Sequence, residues 1–124
     1  MAREVRDGLS PRPTHPPSKY SYDDRGSRLL DRLTQLPEYY LTRAERSLLE
    51  KRAAEIAQRT LPRELVELGA GSAKKSRLLI EAGLAAGSLR RYLPVDVSLE
   101  AARQSARAIV DRYPGLNVHA VVGD

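Results

Sequence analysis

The fold of this chain is decided by the stretch Val66-Glu67-Leu68-Gly69-Ala70-Gly71-Ser72, where an apolar run leads into a turn with two spaced glycines. Neither glycine carries a Cβ, so the backbone can turn tightly there and approach a ligand closely. A second strand-like run, 92–96, ends at Asp96, roughly where a doubly wound fold places the acid that binds a ribose. The pattern therefore predicts a site for a nucleotide-sized ligand.

The second half of the chain alternates between strand and helix patterns. The predicted elements are strands at 65–68, 91–96 and 117–122, and helices at 74–81 and 99–112. Ser98 is the predicted cap of the last helix, which turns Ala102, Ala106, Ile109 and Tyr113 inward. Short apolar strands joined by helices predict an α/β domain over 61–124, with a parallel sheet covered on both sides and right-handed crossovers.

The first half of the chain is rich in proline and then helical. Residues 1–19 carry four prolines between positions 11 and 17, so an extension that is extended or disordered is predicted there. Residues 20–60 form a predicted helical segment with two helices. The first runs from Ser27 to about Gln35 with Leu29, Leu30 and Leu33 inward. The second opens on a capping box, Thr42-x-x-Glu45, continues to about Gln58 and places Leu48, Leu49, Ala53 and Ile56 near one face.

Composition narrows the class of protein. The 124 residues suffice for one small core, which must be aliphatic because the chain has six Tyr but no Phe or Trp. The absence of Cys excludes disulfides, thiolate metal sites and cysteine nucleophiles. The N-terminus lacks the apolar run of a secretory signal, and no stretch is long and apolar enough to span a membrane. A cytoplasmic protein without a metal site is predicted.

The net charge of +5 raises the alternative of a non-catalytic interaction or nucleic-acid module. A nucleic-acid surface would show a clustered basic stripe, preferably with aromatic side chains for stacking. Here the Lys and Arg residues are spread along the chain and interleaved with acids. Solvated helix faces are therefore favoured over a nucleic-acid surface.

Residues 69–76, Gly-Ala-Gly-Ser-Ala-Lys-Lys-Ser, discriminate among three kinds of glycine loop. A dinucleotide loop would have a third glycine where this chain has Lys74. A phosphate-binding P-loop also lacks its second glycine at Lys74, although Gly69, Lys75 and Ser76 fit, so a degenerate nucleotide-binding loop stays an alternative. A two-glycine turn preceded by Glu67 suits a ligand with adenosine and an amino-acid tail but no phosphates, which describes S-adenosylmethionine.

Four segments together resemble the histidine-specific, S-adenosylmethionine-dependent Nα-methyltransferases of ergothioneine biosynthesis. They are 22–27 (Tyr-Asp-Asp-Arg-Gly-Ser), 36–45 (Leu-Pro-Glu-Tyr-Tyr-Leu-Thr-Arg-Ala-Glu), 66–72 with Lys75, and 94–97 (Pro-Val-Asp-Val). The resemblance covers nearly everything from about Val5 to Asp124, in the family's order. It implies a Rossmann-like class I methyltransferase fold and a small-molecule substrate, L-histidine or a related amino acid.

The resemblance also implies roles for individual residues. Gly69 would lie against the methionine part of the cofactor, Lys75 would bind its carboxylate, and Asp96 would accept hydrogen bonds from the ribose hydroxyls. Asp124 would lie beside the adenine. The substrate would be bound by Tyr39, with Tyr22 as a further contact to its imidazole, whereas Tyr40 would serve packing.

The implied reaction is an in-line displacement, in which the α-amino nitrogen of the substrate attacks the methyl carbon and the sulfonium leaves as a thioether. Holding the reacting atoms collinear can contribute about 7 to 11 kcal/mol. No residue of the sequence can be assigned as the base that keeps the amine unprotonated. A complete sheet of this family has more strands than the three predicted here. The expectation is therefore an N-terminal half of a longer or split enzyme, inactive alone and completed by a C-terminal half.

Overall fold

The computed structural model describes residues 2–15, 17, 24–71 and 73–123. The elements are α1 (Ala2–Leu9), α2 (Asp24–Leu33), α3 (Leu41–Thr60), β1 (Glu64–Leu68), α4 (Ser76–Ala85), β2 (Arg91–Asp96), α5 (Leu99–Arg112), β3 (Asn117–Val118) and β4 (Val121–Val122). Within these ranges, no helix combines the length and the apolar character that crossing a membrane requires.

The strands form one parallel sheet in the order β1-β2-β3, with β4 also paired to β2. β1 is in register with β2 from Glu64 opposite Arg91 to Leu68 opposite Val95. The predicted third strand is confirmed in position, but it is interrupted at 119–120, and both of its parts pair with β2. The predicted α/β class with a parallel sheet is thus confirmed, and β1 has a single partner strand among the described residues.

The core lies on one face of this sheet. It contains Tyr92 of β2, Ile80 of α4 and Ile109 of α5, each with 0% of its surface exposed, and Leu65 of β1 packs against them. Ala73, Leu89 and Leu116 complete the buried cluster. Burial follows the strand period of two, since the alternate residues of β1 and β2 point to opposite faces. Helices α4 and α5 therefore cover the face that bears Leu65 and Tyr92.

The opposite face departs from the predicted two-sided cover. Val66 and Leu68 point there from β1 and are 55% and 81% exposed. Their apolar side chains are typical of a parallel strand that is buried on both faces, yet the described helices pack on the other side of the sheet. The expectation of helices on both faces is therefore wrong for the part of the chain that the structure describes.

Two expectations for the N-terminal part are corrected. Residues 2–9 form α1, because the prolines that argued for an extended segment begin only at Pro11, after the helix has ended. Leu29, Leu30 and Leu33 of α2 are 53%, 37% and 41% exposed rather than inward, so the described part of the chain offers this helix little apolar cover.

Helix α3 begins at Leu41, before the predicted N-cap Thr42, and the expected capping box does not form. Its N-cap is Tyr40, which makes no side-chain capping bond. Thr42 is thereby already inside the helix, and Glu45 turns to a partner outside it. Ala53 and Ala57 are the buried side chains, whereas two of the predicted inward residues, Leu48 and Ile56, are 60% and 41% exposed.

Three arginines of α3 are paired with acids of the same helix. Arg46 contacts Glu50 at 2.9 Å, and Glu55 accepts contacts from Arg52 at 2.7 Å and Arg59 at 3.3 Å. Such pairs one helical turn apart are the ordinary arrangement of a solvated helix face. They agree with the interleaved charges of the sequence.

Candidate functional site

The glycine turn between β1 and α4 has the tight backbone that its sequence predicts. Gly69 and Gly71 adopt φ values of +69° and +50°, in the left-handed region that residues with a Cβ seldom enter. The amides of Gly69 and Ala70 both donate to the carbonyl of Val95, at 2.8 and 3.1 Å. A Cβ built on Gly69 would meet no atom within 4 Å, so the space beside this residue is open.

Asp96 joins the glycine turn to the end of the neighbouring strand. Its Oδ2 accepts the amide of Gly71 at 2.9 Å, and its Oδ1 accepts the amide of Ser98 at 2.9 Å. The half-buried carboxylate keeps further acceptor capacity, because two oxygens offer about four lone-pair sites. The structure thus brings together Gly69, Gly71 and Asp96, which the sequence separates.

Ser98 caps α5, as its position predicts. Its hydroxyl accepts the amide of Ala101 at 3.2 Å while its backbone is extended. With Ser98 as the cap, the Asp96 carboxylate instead accepts the amide of Gly71 in the glycine turn and the amide of Ser98 after β2.

The end of the third strand approaches the same place. The amide of Gly123 donates to the carbonyl of Asp96 at 3.1 Å. Asp124 follows immediately in the chain, but it lies outside the described residues, as does Tyr22. Three turns therefore meet at the carboxyl ends of the parallel strands, where ligands of open α/β sheets bind.

Lys75 lies just before α4 and points to α3. Its Nζ is 2.6 Å from Oε2 of Glu45, and the two side chains are 42% and 51% exposed. The contact joins residues 30 positions apart and bridges the helical segment to the glycine turn. No local sequence pattern could have found this pair.

A buried polar pair lies below the turn. The phenol of Tyr92 donates a short hydrogen bond to Oε2 of Glu67, two residues before Gly69. Burial raises the pKa of Tyr92 well above its ordinary value, and the Glu67 carboxylate raises it further. The phenol therefore stays protonated as a donor, and Glu67 is held in a fixed orientation. The sequence pattern indicates Glu67 but not Tyr92, because the two are neighbours only across the β1–β2 register.

Tyr39 lies on the connector between α2 and α3, where it is half-buried. Its amide donates to the carbonyl of Leu36 at 3.1 Å. Arg43 holds the same connector, since its guanidinium donates to the carbonyls of Leu36, at 2.8 Å, and Pro37. Tyr40, which the resemblance assigns to packing, is instead 63% exposed. Arg43 was not singled out from the sequence.

Comparison with known proteins identifies the family. The model of the histidine-specific, SAM-dependent methyltransferases, where SAM is S-adenosylmethionine, matches residues 1–124. The chain is 44% identical over all of its 124 residues to the histidine N-alpha-methyltransferases of Mycobacterium tuberculosis and Mycolicibacterium smegmatis. It is 36% identical over 113 residues to ergothioneine biosynthesis protein 1 of Neurospora crassa.

The match covers the relatives only in part. The chain spans 39% of the length of each mycobacterial relative and 13% of the Neurospora protein. The matched residues include those that build the glycine turn and the Asp96 junction. This chain belongs to the family of histidine-specific, SAM-dependent methyltransferases.

Proposed function

We propose that this chain contributes the cofactor-binding part of an S-adenosylmethionine-dependent methyltransferase that acts on the α-amino nitrogen of L-histidine. The observation that carries the proposal is the junction at Asp96, whose carboxylate accepts the amide of Gly71 in the glycine turn and the amide of Ser98, each at 2.9 Å. It provides a carboxylate next to a turn with open space at Gly69, and Lys75 follows that turn in the chain. The family match over residues 1–124 supports the choice of cofactor and substrate.

The residues of the junction fit the three chemical parts of the cofactor. The open space beside Gly69 suits the methionine part, because no neighbouring atom lies within 4 Å of a Cβ position there. Asp96 has acceptor capacity for ribose hydroxyls beyond the two amides it already binds. Lys75 offers a compact positive charge to the carboxylate of the amino-acid tail. Asp124, next to Gly123 at the same junction, is proposed to lie beside the adenine.

On the substrate side, we assign histidine binding to Tyr39, with Tyr22 as a further contact. The connector that carries Tyr39 is held by Arg43 and by the hydrogen bond from the Tyr39 amide to the carbonyl of Leu36. A fixed connector favours catalysis because the chain's task is to orient an amine toward an activated methyl group that the bound cofactor supplies.

The sheet supports a Rossmann-like domain that is completed by further strands. β1 has one partner, and its Val66 and Leu68 are exposed although their composition suits a buried strand. We therefore propose that a C-terminal half covers this edge and face and that methyl transfer requires it. The cytoplasmic location predicted from the sequence stays a prediction.

Isothermal titration calorimetry with S-adenosylmethionine tests the proposal. Binding to the wild-type chain is expected, and Asp96→Ala should weaken it at least tenfold through the loss of charge-assisted bonds. Asp111→Ala, which removes an exposed acid of α5, is the matched control and should bind like wild type.

Two other results would contradict the proposal. Binding of Mg-ATP that depends on Lys75, without affinity for S-adenosylmethionine, would favour the degenerate phosphate-binding loop. Binding to nucleic acid that falls steeply with salt, again without cofactor affinity, would favour an interaction module.

A further inference from the structure

Lys75, the residue assigned to the cofactor's carboxylate, already has a carboxylate partner in this structure. Its Nζ lies 2.6 Å from Oε2 of Glu45. Glu45 belongs to α3, the helix that directly follows the Tyr39 connector, and not to the cofactor-binding domain. A carboxylate from the substrate-side segment therefore stands where an incoming carboxylate would have to bind.

The chemistry of Lys75 makes the two carboxylates rivals. An ammonium is a compact charge, and two carboxylates brought to one such charge repel each other. The two arginines nearest to Glu45 in the sequence have other partners, since Arg43 donates to the carbonyls of Leu36 and Pro37 and Arg46 pairs with Glu50. Among the described residues, Lys75 is the charged partner of the Glu45 carboxylate.

The pair is also weak enough to be exchanged. Both side chains are about half exposed, and an ion pair in solvent of this kind shifts an equilibrium by at most about fivefold. A contact of that strength can hold a side chain in place without closing the site to a ligand.

Resting on the proposed function, we propose that Glu45 is an internal substitute for the cofactor's carboxylate. It holds Lys75 in the cofactor-free protein and is displaced when the amino-acid tail binds. Glu45 is thus a positioning residue that sets cofactor affinity from the substrate-side helix. Cofactor binding then breaks the Lys75–Glu45 contact between α3 and the glycine turn. The substrate-side helix and the cofactor site are thereby coupled through one change of partner at Lys75.

The test compares two ligands that differ in the amino-acid tail. S-adenosylhomocysteine carries the carboxylate, and 5′-methylthioadenosine lacks it. Glu45→Gln keeps the shape of the side chain but removes its charge. It should tighten binding of S-adenosylhomocysteine about two- to fivefold and leave binding of 5′-methylthioadenosine unchanged, both measured by calorimetry at low salt.

Glu50→Gln is the matched control, because Glu50 lies on the same helix and pairs with Arg46 rather than with Lys75. It should change neither affinity. Urea midpoints of both variants show whether either substitution disturbs the fold.

Three outcomes overturn the inference. Weaker binding of S-adenosylhomocysteine to Glu45→Gln would mean that Glu45 assists binding, for instance by pairing with the ammonium group of the ligand. Unchanged binding, or an equal gain for both ligands, would mean that Glu45 does not compete for the carboxylate. If wild type binds neither ligand, the proposed function itself fails, and this result is distinct from the other two.

Discussion

The two faces of the sheet have similar apolar composition but opposite burial. On the covered face, Tyr92 is fully buried against Ile80 and Ile109. On the other face, Val66 and Leu68 of β1 are 55% and 81% exposed. Composition alone therefore does not tell which side of a parallel strand carries the core. Among the described residues, the packed core lies on one face of the sheet, and β1 presents an exposed apolar surface on the other.

The largest expected effect concerns the core of the covered face. Ile109→Ala should lower the free energy of unfolding by about 2–5 kcal/mol, because it removes a fully buried side chain and leaves a cavity. Val110→Ala on the same helix is the control, since Val110 is 47% exposed and should cost less than about 1 kcal/mol. Urea unfolding measures both, and equal losses would contradict a one-sided core.

The next effect concerns the polar pair within that face. Tyr92→Phe should lower the free energy of unfolding by about 1–2 kcal/mol at neutral pH, because the Glu67 carboxylate loses its donor in a half-buried position. Tyr39→Phe serves as the control, since the Tyr39 phenol makes no hydrogen bond to the part of the chain that the structure describes and its removal should cost little.

The same pair predicts a dependence on alkaline pH. Burial raises the pKa of Tyr92 above its ordinary value of 10.0. The unfolded chain therefore releases this proton first, and the contribution of Tyr92 to stability is complete below pH 10.0 and lost as the pH rises above it. Above that pH, the free energy of unfolding of wild type should fall more steeply than that of Tyr92→Phe. Parallel pH profiles would argue against a buried phenol.

The smallest effect is expected on the exposed face. Leu68→Lys should change the free energy of unfolding by less than about 0.5 kcal/mol, because the side chain is 81% exposed. It should nevertheless reduce self-association, since a charge on an edge strand opposes pairing with another strand. Analytical ultracentrifugation of wild type and variant measures this. A large loss of stability would show that the face is covered.

Much of the sheet domain could be predicted because its signals are local. Strand β2 has the predicted bounds, Arg91–Asp96, and Ser98 caps α5 as its position indicates. The glycine turn was recognised from two residues whose positive φ values the structure contains. Each of these features depends on a run of neighbours, and periodicity or turn chemistry shows it directly.

The N-terminal half was predicted less well, because tertiary contacts override its local patterns. Glu45 fits a capping box with Thr42, but it pairs with Lys75, which is 30 positions away. Arg43 anchors the connector through backbone carbonyls, a contact that leaves no trace in hydrophobic spacing. The sequence therefore pointed to Gly69, Gly71 and Asp96, which the structure places together, but not to the contact that links α3 to the glycine turn.

The position of Asp96 has a consequence for interpreting mutants of this protein. Asp96 makes hydrogen bonds to three turns, two through its side-chain carboxylate and one through its backbone carbonyl. Replacement by alanine removes both side-chain hydrogen bonds, so a loss of affinity would combine a missing ligand contact with a disturbed site. Asparagine removes the charge but keeps one acceptor oxygen, so it loses one of the two side-chain hydrogen bonds rather than both.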